Sequence, residues 1–131
     1  TSTFGGNPLA CVAGRKTLEI LQRDGLSAKS ARDGIWLKSE LLRLSQEFPH
    51  LITQVRGLGL MIGVELRRED LAGALISELL KHNLLAVYTL NQPNVIRLEP
   101  PLTISQADLD QAVTAFSQSL QAIAERQLVV S

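Results

Sequence analysis

The chain has 131 residues, 45% of them apolar and 20% charged, which is the composition of a folded domain with room for a sizeable core and excludes global disorder. Thirteen Lys and Arg balance thirteen Asp and Glu, so no net field favours nucleic acid or an anionic bilayer. The single cysteine, Cys11, excludes an internal disulfide, and His50 and His82 stand far apart without metal-ligand spacing, so neither a disulfide scaffold nor a metal site is expected.

The first residues, Thr1-Ser2-Thr3-Phe4-Gly5-Gly6, contain no initiator methionine and no signal-peptide pattern, and they read as the middle of a glycine-rich loop in something longer. No apolar run approaches the ~18 residues of a membrane span. Asn7-Pro8 reads as an N-cap followed by the first helical residue, because proline's fixed φ and missing N–H suit that position, and the helix runs through Arg23 to a break at Asp24-Gly25. Ala10, Ala13 and Gly14 offer it a small-residue face, and Cys11 reads as a packed interior residue. A second helix is expected from about Ser27 to Phe48, with Leu37, Leu41, Leu44 and Phe48 as its apolar stripe and Pro49 as its stop.

From Ile52 to Leu66 the period changes to two, with Leu60, Ile62, Val64 and Leu66 on one face, which predicts a strand region bent at Gly57 or Gly59. Arg68-Glu69-Asp70 opens a third helix, carrying Leu71, Leu75 and Leu79 and ending at His82-Asn83. Leu85 to Leu90 and Val95 to Glu99 read as the strands of a hairpin around Asn91-Gln92-Pro93-Asn94, and Pro100-Pro101 ends the ladder. Ser105, with Asp108 three residues on, caps a last helix whose stripe is Leu109, Val113, Phe116, Leu120 and Ile123. The expected architecture is α+β, a small antiparallel or mixed sheet with helices packed on one face, and the only plausible domain seam is Asp24-Gly25.

Two places invite chemistry. The loop Ser2-Thr3-Phe4-Gly5-Gly6-Asn7-Pro8 joins hydroxyls and glycines to a helix N-terminus, where a phosphate is favoured; the plainer reading is a flexible helix start capped by Asn7. Arg97 is a cation within the apolar strand Val95-Ile96-Arg97-Leu98, a setting that suits bidentate carboxylate binding; the plainer reading is a solvated pair with Glu99, which lies on the same face. Arg56, beside Gly57-Leu58-Gly59, reads as structural, and both histidines read as solvated. Arg67-Arg68-Glu69-Asp70 reads as an exposed helix start.

Taken together, Ser2-Thr3-Phe4-Gly5-Gly6-Asn7-Pro8-Leu9-Ala10-Cys11, then Val55-Arg56-Gly57-Leu58-Gly59-Leu60-Met61, then Ile96-Arg97-Leu98-Glu99-Pro100-Pro101-Leu102 resemble, in that order, a class III aminotransferase. Thr89-Leu90-Asn91 with the Arg97 motif is most similar to the putrescine branch. The resemblance implies the C-terminal part of a type I pyridoxal 5'-phosphate fold: residues 1–24 as the tail of the large cofactor-binding domain and residues 25–131 as the small domain. It implies an enzyme that moves an amino group from an amine or ω-amino acid of ornithine, acetylornithine or putrescine type to 2-oxoglutarate. It further implies a cytoplasmic homodimer or larger homo-oligomer without nucleic acid, membrane or metal.

By the same resemblance Ser2 and Thr3 contact the cofactor phosphate of a neighbouring subunit and Arg97 receives a substrate carboxylate. No catalytic residue is expected within the chain, because none of Lys16, Lys29, Lys38 and Lys81 occupies the place of the family's Schiff-base lysine. The isolated chain is therefore expected to be inactive. Two other readings stay open: a non-catalytic α+β binding or assembly module, and a related reaction on the same cofactor, such as an aminomutase or decarboxylase.

Overall fold

The computed structural model describes residues 3–130. The order is α1 (Pro8–Arg23), α2 (Leu26–Glu47), β1 (Ile52–Leu58), β2 (Met61–Leu66), α3 (Glu69–Lys81), β3 (Val87–Thr89), β4 (Gln92–Leu98) and α4 (Gln106–Val130). The strands form one antiparallel sheet in the order β1-β2-β4-β3. The expected helix stripes form the core: Leu37, Leu41 and Leu44 of α2, Leu71, Leu75 and Leu79 of α3, and Leu109, Phe116 and Leu120 of α4 are buried against Ile62, Val64 and Ile96 of the sheet. These three helices cover one sheet face. The other face, which carries Arg56, Met61, Gly63 and Arg97, has no helix over it among the described residues.

Local chemistry explains the helix ends. Asn7 Oδ1 accepts from the N–H groups of Leu9 and Ala10 at 2.9 and 3.3 Å, with Pro8 at the first helical position. Ser105 Oγ accepts from the Asp108 N–H at 3.1 Å and donates to its carboxylate at 2.6 Å, closing the expected cap of α4. Between α1 and α2 the chain turns at Asp24 and at Gly25, whose φ of 60° is left-handed.

Four expectations need correction. The region 52–66 is a tight hairpin, not one bent strand: Leu58 pairs with Met61, and Gly59 takes a φ of 55° in the turn. Leu60 points into the core from that turn, so apolar alternation runs through it unbroken. The β3–β4 turn is tighter than expected, pairing Thr89 with Gln92, and β4 includes Pro93 next to an irregularity where a missing N–H is tolerated. Arg68 is the extended residue before α3 and not its first turn. Cys11 is exposed and no residue of α1 is buried, Ile20 and Leu21 being only partly covered; α1 packs only against α2 among the described elements, so its small face is not core packing.

A clamp that the stripes did not disclose joins α3 to α4. Glu78 is buried, and its Oε1 lies 2.8 Å from Lys81 Nζ and 2.6 Å from an Arg126 guanidinium nitrogen. The Lys81 hydrogen bond holds the Glu78 carboxyl below the ordinary carboxylate range, with Arg126 acting in the same sense against the opposing effect of burial. A depressed pKa makes this contribution to stability complete above the unfolded-state value and lost as pH falls through the folded-state value. The stability gap between the protein and its Glu78→Gln variant is therefore expected to be widest near neutrality and to close in acid, as measured by urea unfolding across pH. A gap independent of pH would remove Glu78 as the titrating group.

Candidate functional site

Ser2 lies outside the described residues. Thr3 is exposed in the turn before α1, which continues through Gly6 at a φ of 81°. The helix N-terminus behind it is already satisfied, since Asn7 takes the Leu9 and Ala10 amides by its side chain and the Cys11 amide by its carbonyl. An anion at this loop would therefore meet the Thr3 hydroxyl and the turn amides and not the free end of α1, a narrower site than the glycine pattern implied. Among the described residues nothing lies within 4 Å of where a Gly6 Cβ would stand, which leaves that side of the turn room for a phosphate. The loop thus fits a phosphate by one accessible hydroxyl and an open backbone turn.

Arg97 sits on β4 with Gly63 of β2 on one side and Val87 of β3 on the other. Its Nε lies 3.0 Å from Glu99 Oε2, and the two side chains are 49% and 39% exposed. The Glu99 pair expected from strand periodicity is therefore present. Nε is the guanidinium nitrogen that lies against Glu99, and the half-exposed guanidinium keeps a face to solvent. Arg97 and Glu99 also border a mainly apolar cavity of about 330 Å³ between the end of β4, α2 and α4, walled by Leu37, Leu84, Leu98 and Phe116.

The segment after Arg97 is fixed from a distance. Pro100 and Pro101 offer no N–H, but Ile104 N–H donates to Pro101 O at 2.9 Å and Lys29 Nζ donates to Ile104 O at 2.5 Å while also pairing with Asp33. Lys29 is thus a half-buried tie between α2 and this loop. Arg56 is structural, as expected. Its guanidinium meets Gln54, Glu65 and, at 2.9 Å, Gln92, joining β1 and β2 to the start of β4. His50 and His82 are exposed. No group of three or more His, Cys, Asp or Glu side chains among the described residues is placed to hold a metal ion, and no described helix is long and apolar enough to cross a membrane.

The structure does not bring the two sequence-derived sites together, because α1 contacts only α2 among the described elements whereas Arg97 lies within the sheet. Glu78 was the detectable omission: it follows Leu71 and Leu75 at helical spacing, so it falls on the buried stripe of α3, with Lys81 three residues on.

Comparison with known proteins gives one consistent result. The model of the family "Aminotransferase class-III" matches residues 1–120. Putrescine aminotransferase of Pectobacterium atrosepticum is 42% identical over 106 residues, covering 81% of this chain and 23% of that protein. Acetylornithine aminotransferase from Elizabethkingia anophelis superposes with a TM-score of 0.83 at 35% identity, covering 93% of this chain and 32% of that one. Ornithine aminotransferase from Toxoplasma gondii superposes with a TM-score of 0.85 at 31% identity, covering 95% of this chain and 30% of that one. The chain thus spans less than a third of the curated relative, and its α+β architecture is that of the corresponding part of these aminotransferases.

Proposed function

Because the chain belongs to the class III aminotransferase family, we propose that it is the C-terminal part of an enzyme transferring an amino group from an amine or ω-amino acid of putrescine, ornithine or acetylornithine type to 2-oxoglutarate. In this reading residues 1–24 are the tail of the cofactor-binding domain and residues 25–131 the small domain. The observation that carries it is Arg97, a guanidinium on a rigid inner strand that is paired with Glu99 yet about half exposed, and so accessible to a carboxylate.

When bound, pyridoxal 5'-phosphate supplies the electron sink for amino-group transfer. Thr3, with Ser2, offers hydroxyls to its phosphate, and Arg97 orients the acceptor by its carboxylate. With no lysine in this chain at the family's Schiff-base position, the isolated chain is inactive in this reading, and the enzyme works as a homodimer or larger assembly whose neighbouring subunit presents the loop. A lone exposed thiol at Cys11 suits the reducing cytoplasm.

Replacing Thr3 by Ala in the full-length protein tests the loop. A hydrogen bond to a charged phosphate contributes about 1.5–3 kcal/mol, so pyridoxal phosphate is expected to bind roughly ten- to hundredfold more weakly in an equilibrium titration. Unchanged affinity would remove Thr3 from the site.

A further inference from the structure

The register places Arg56, Gly63, Arg97 and Val87 in one row across the four strands, on the face that no described helix covers. Gly63 stands inside β2, where glycine sacrifices conformational entropy and provides no packing, and such a position marks a bulge, a bend or a close approach by a ligand or another backbone. Neither a bulge nor a bend accounts for it. The pairing is continuous on both sides of Gly63, and its φ is not among the positive ones. A Cβ at this position would meet Val95 Cγ1 at 3.3 Å and the Arg56 carbonyl oxygen at 3.9 Å, contacts that an alanine satisfies with a small adjustment.

Gly63 is itself partly exposed, and the two arginines flanking it in the row each have a carboxylate partner. Gln54, Glu65 and Gln92 hold the Arg56 guanidinium, and Arg97, paired with Glu99, stays 49% exposed. We infer that Gly63 is a specificity-determining residue, its bare backbone forming the floor on which the carboxylate end of a flat 2-oxo acid lies while engaging the exposed part of the Arg97 guanidinium. This rests on the reading of Arg97 given above. A side chain at position 63 would stand in that strip and exclude the acceptor by bulk while leaving Arg97 and its charge in place.

The test uses full-length protein carrying Gly63→Ala, Gly63→Val or Arg97→Ala, with the affinity of glutarate, an unreactive dicarboxylate, measured by calorimetry, KM for 2-oxoglutarate by steady-state rates, and the melting temperature alongside. The expected result is a graded weakening of both constants, several-fold for Gly63→Ala and more than tenfold for Gly63→Val, with the melting temperature of the alanine variant near that of the parent. If both Gly63 variants leave the constants unchanged while Arg97→Ala weakens them, the inference falls and the carboxylate reading stands. Unchanged constants in Arg97→Ala sink both. A lowered melting temperature in Gly63→Ala without weaker glutarate binding makes Gly63 a packing partner of Val95 and overturns the inference. Should Gly63→Val fail to fold, the alanine variant decides alone.

Discussion

Replacing Gly34 by alanine should cost roughly 3 kcal/mol of stability, at the upper end of the range for overpacking. A Cβ on Gly34 would stand 2.1 Å from the carbonyl oxygen of Gly59 and 2.6 Å from its Cα, a collision between α2 and the β1–β2 turn in which the opposing atoms are backbone and cannot rotate away. The turn has little freedom to retreat. Gly59 is itself left-handed, a Cβ there would meet Ser30 Oγ at 2.8 Å, and the Leu60 N–H donates to that same hydroxyl at 3.2 Å while the Leu60 side chain is buried. Gly73 is the control. It lies in α3 with nothing within 4 Å of its Cβ position, so Gly73→Ala should stabilise by about 1 kcal/mol through helix propensity alone. Urea unfolding of the two variants should shift in opposite directions; a Gly34→Ala midpoint equal to that of the parent would mean that α2 slides along the hairpin at little cost.

Truncating Arg97 to alanine in the full-length enzyme should cost about 2–5 kcal/mol in the use of 2-oxoglutarate if the pair formed with substrate is desolvated. The effect on stability should be small by comparison. The Arg97–Glu99 contact is about half exposed, and such surface pairs contribute up to ~1 kcal/mol. With a diamine donor lacking a carboxylate, the first half-reaction, followed in single turnover, should be nearly normal while the second is strongly slowed. Arg97→Lys should recover only part of the loss, because an ammonium supplies a point charge where the guanidinium edge makes two parallel hydrogen bonds. Small and equal effects on both half-reactions would mean that Arg97 serves the Glu99 pair and nothing else.

How far such features are legible from residues alone depends on whether the determining contact is local. The stripes of α2, α3 and α4 were readable because burial imposes a helical period on consecutive turns, and the caps at Asn7 and Ser105 because they act within a few residues. The β1–β2 hairpin was not, since Leu60 fills the core from within the turn and continues the strand alternation across it. Cys11 was misplaced for a related reason: a periodic helix announces a buried face, but α1 finds only α2 beside it among the described elements. Arg97 and Glu99 were readable as a pair from strand period, whereas the bare position beside Arg97 follows from the cross-strand register, as the reach of Lys29 to Ile104 does from a fold that brings residues 75 apart in sequence together.

The ends of the sheet settle how the chain can meet a neighbour. β3 is three residues long and its pairing is irregular at Tyr88-Thr89, while β1 carries an irregularity at Ile52-Gln54 and the charged Arg56. Short or kinked outer strands offer no long flat row of unpaired amides and carbonyls for another strand to template on. Association by strand addition is thereby disfavoured at both margins, which leaves assembly to side-chain surfaces, where shape and charge discriminate among partners far more sharply than a repeating backbone does.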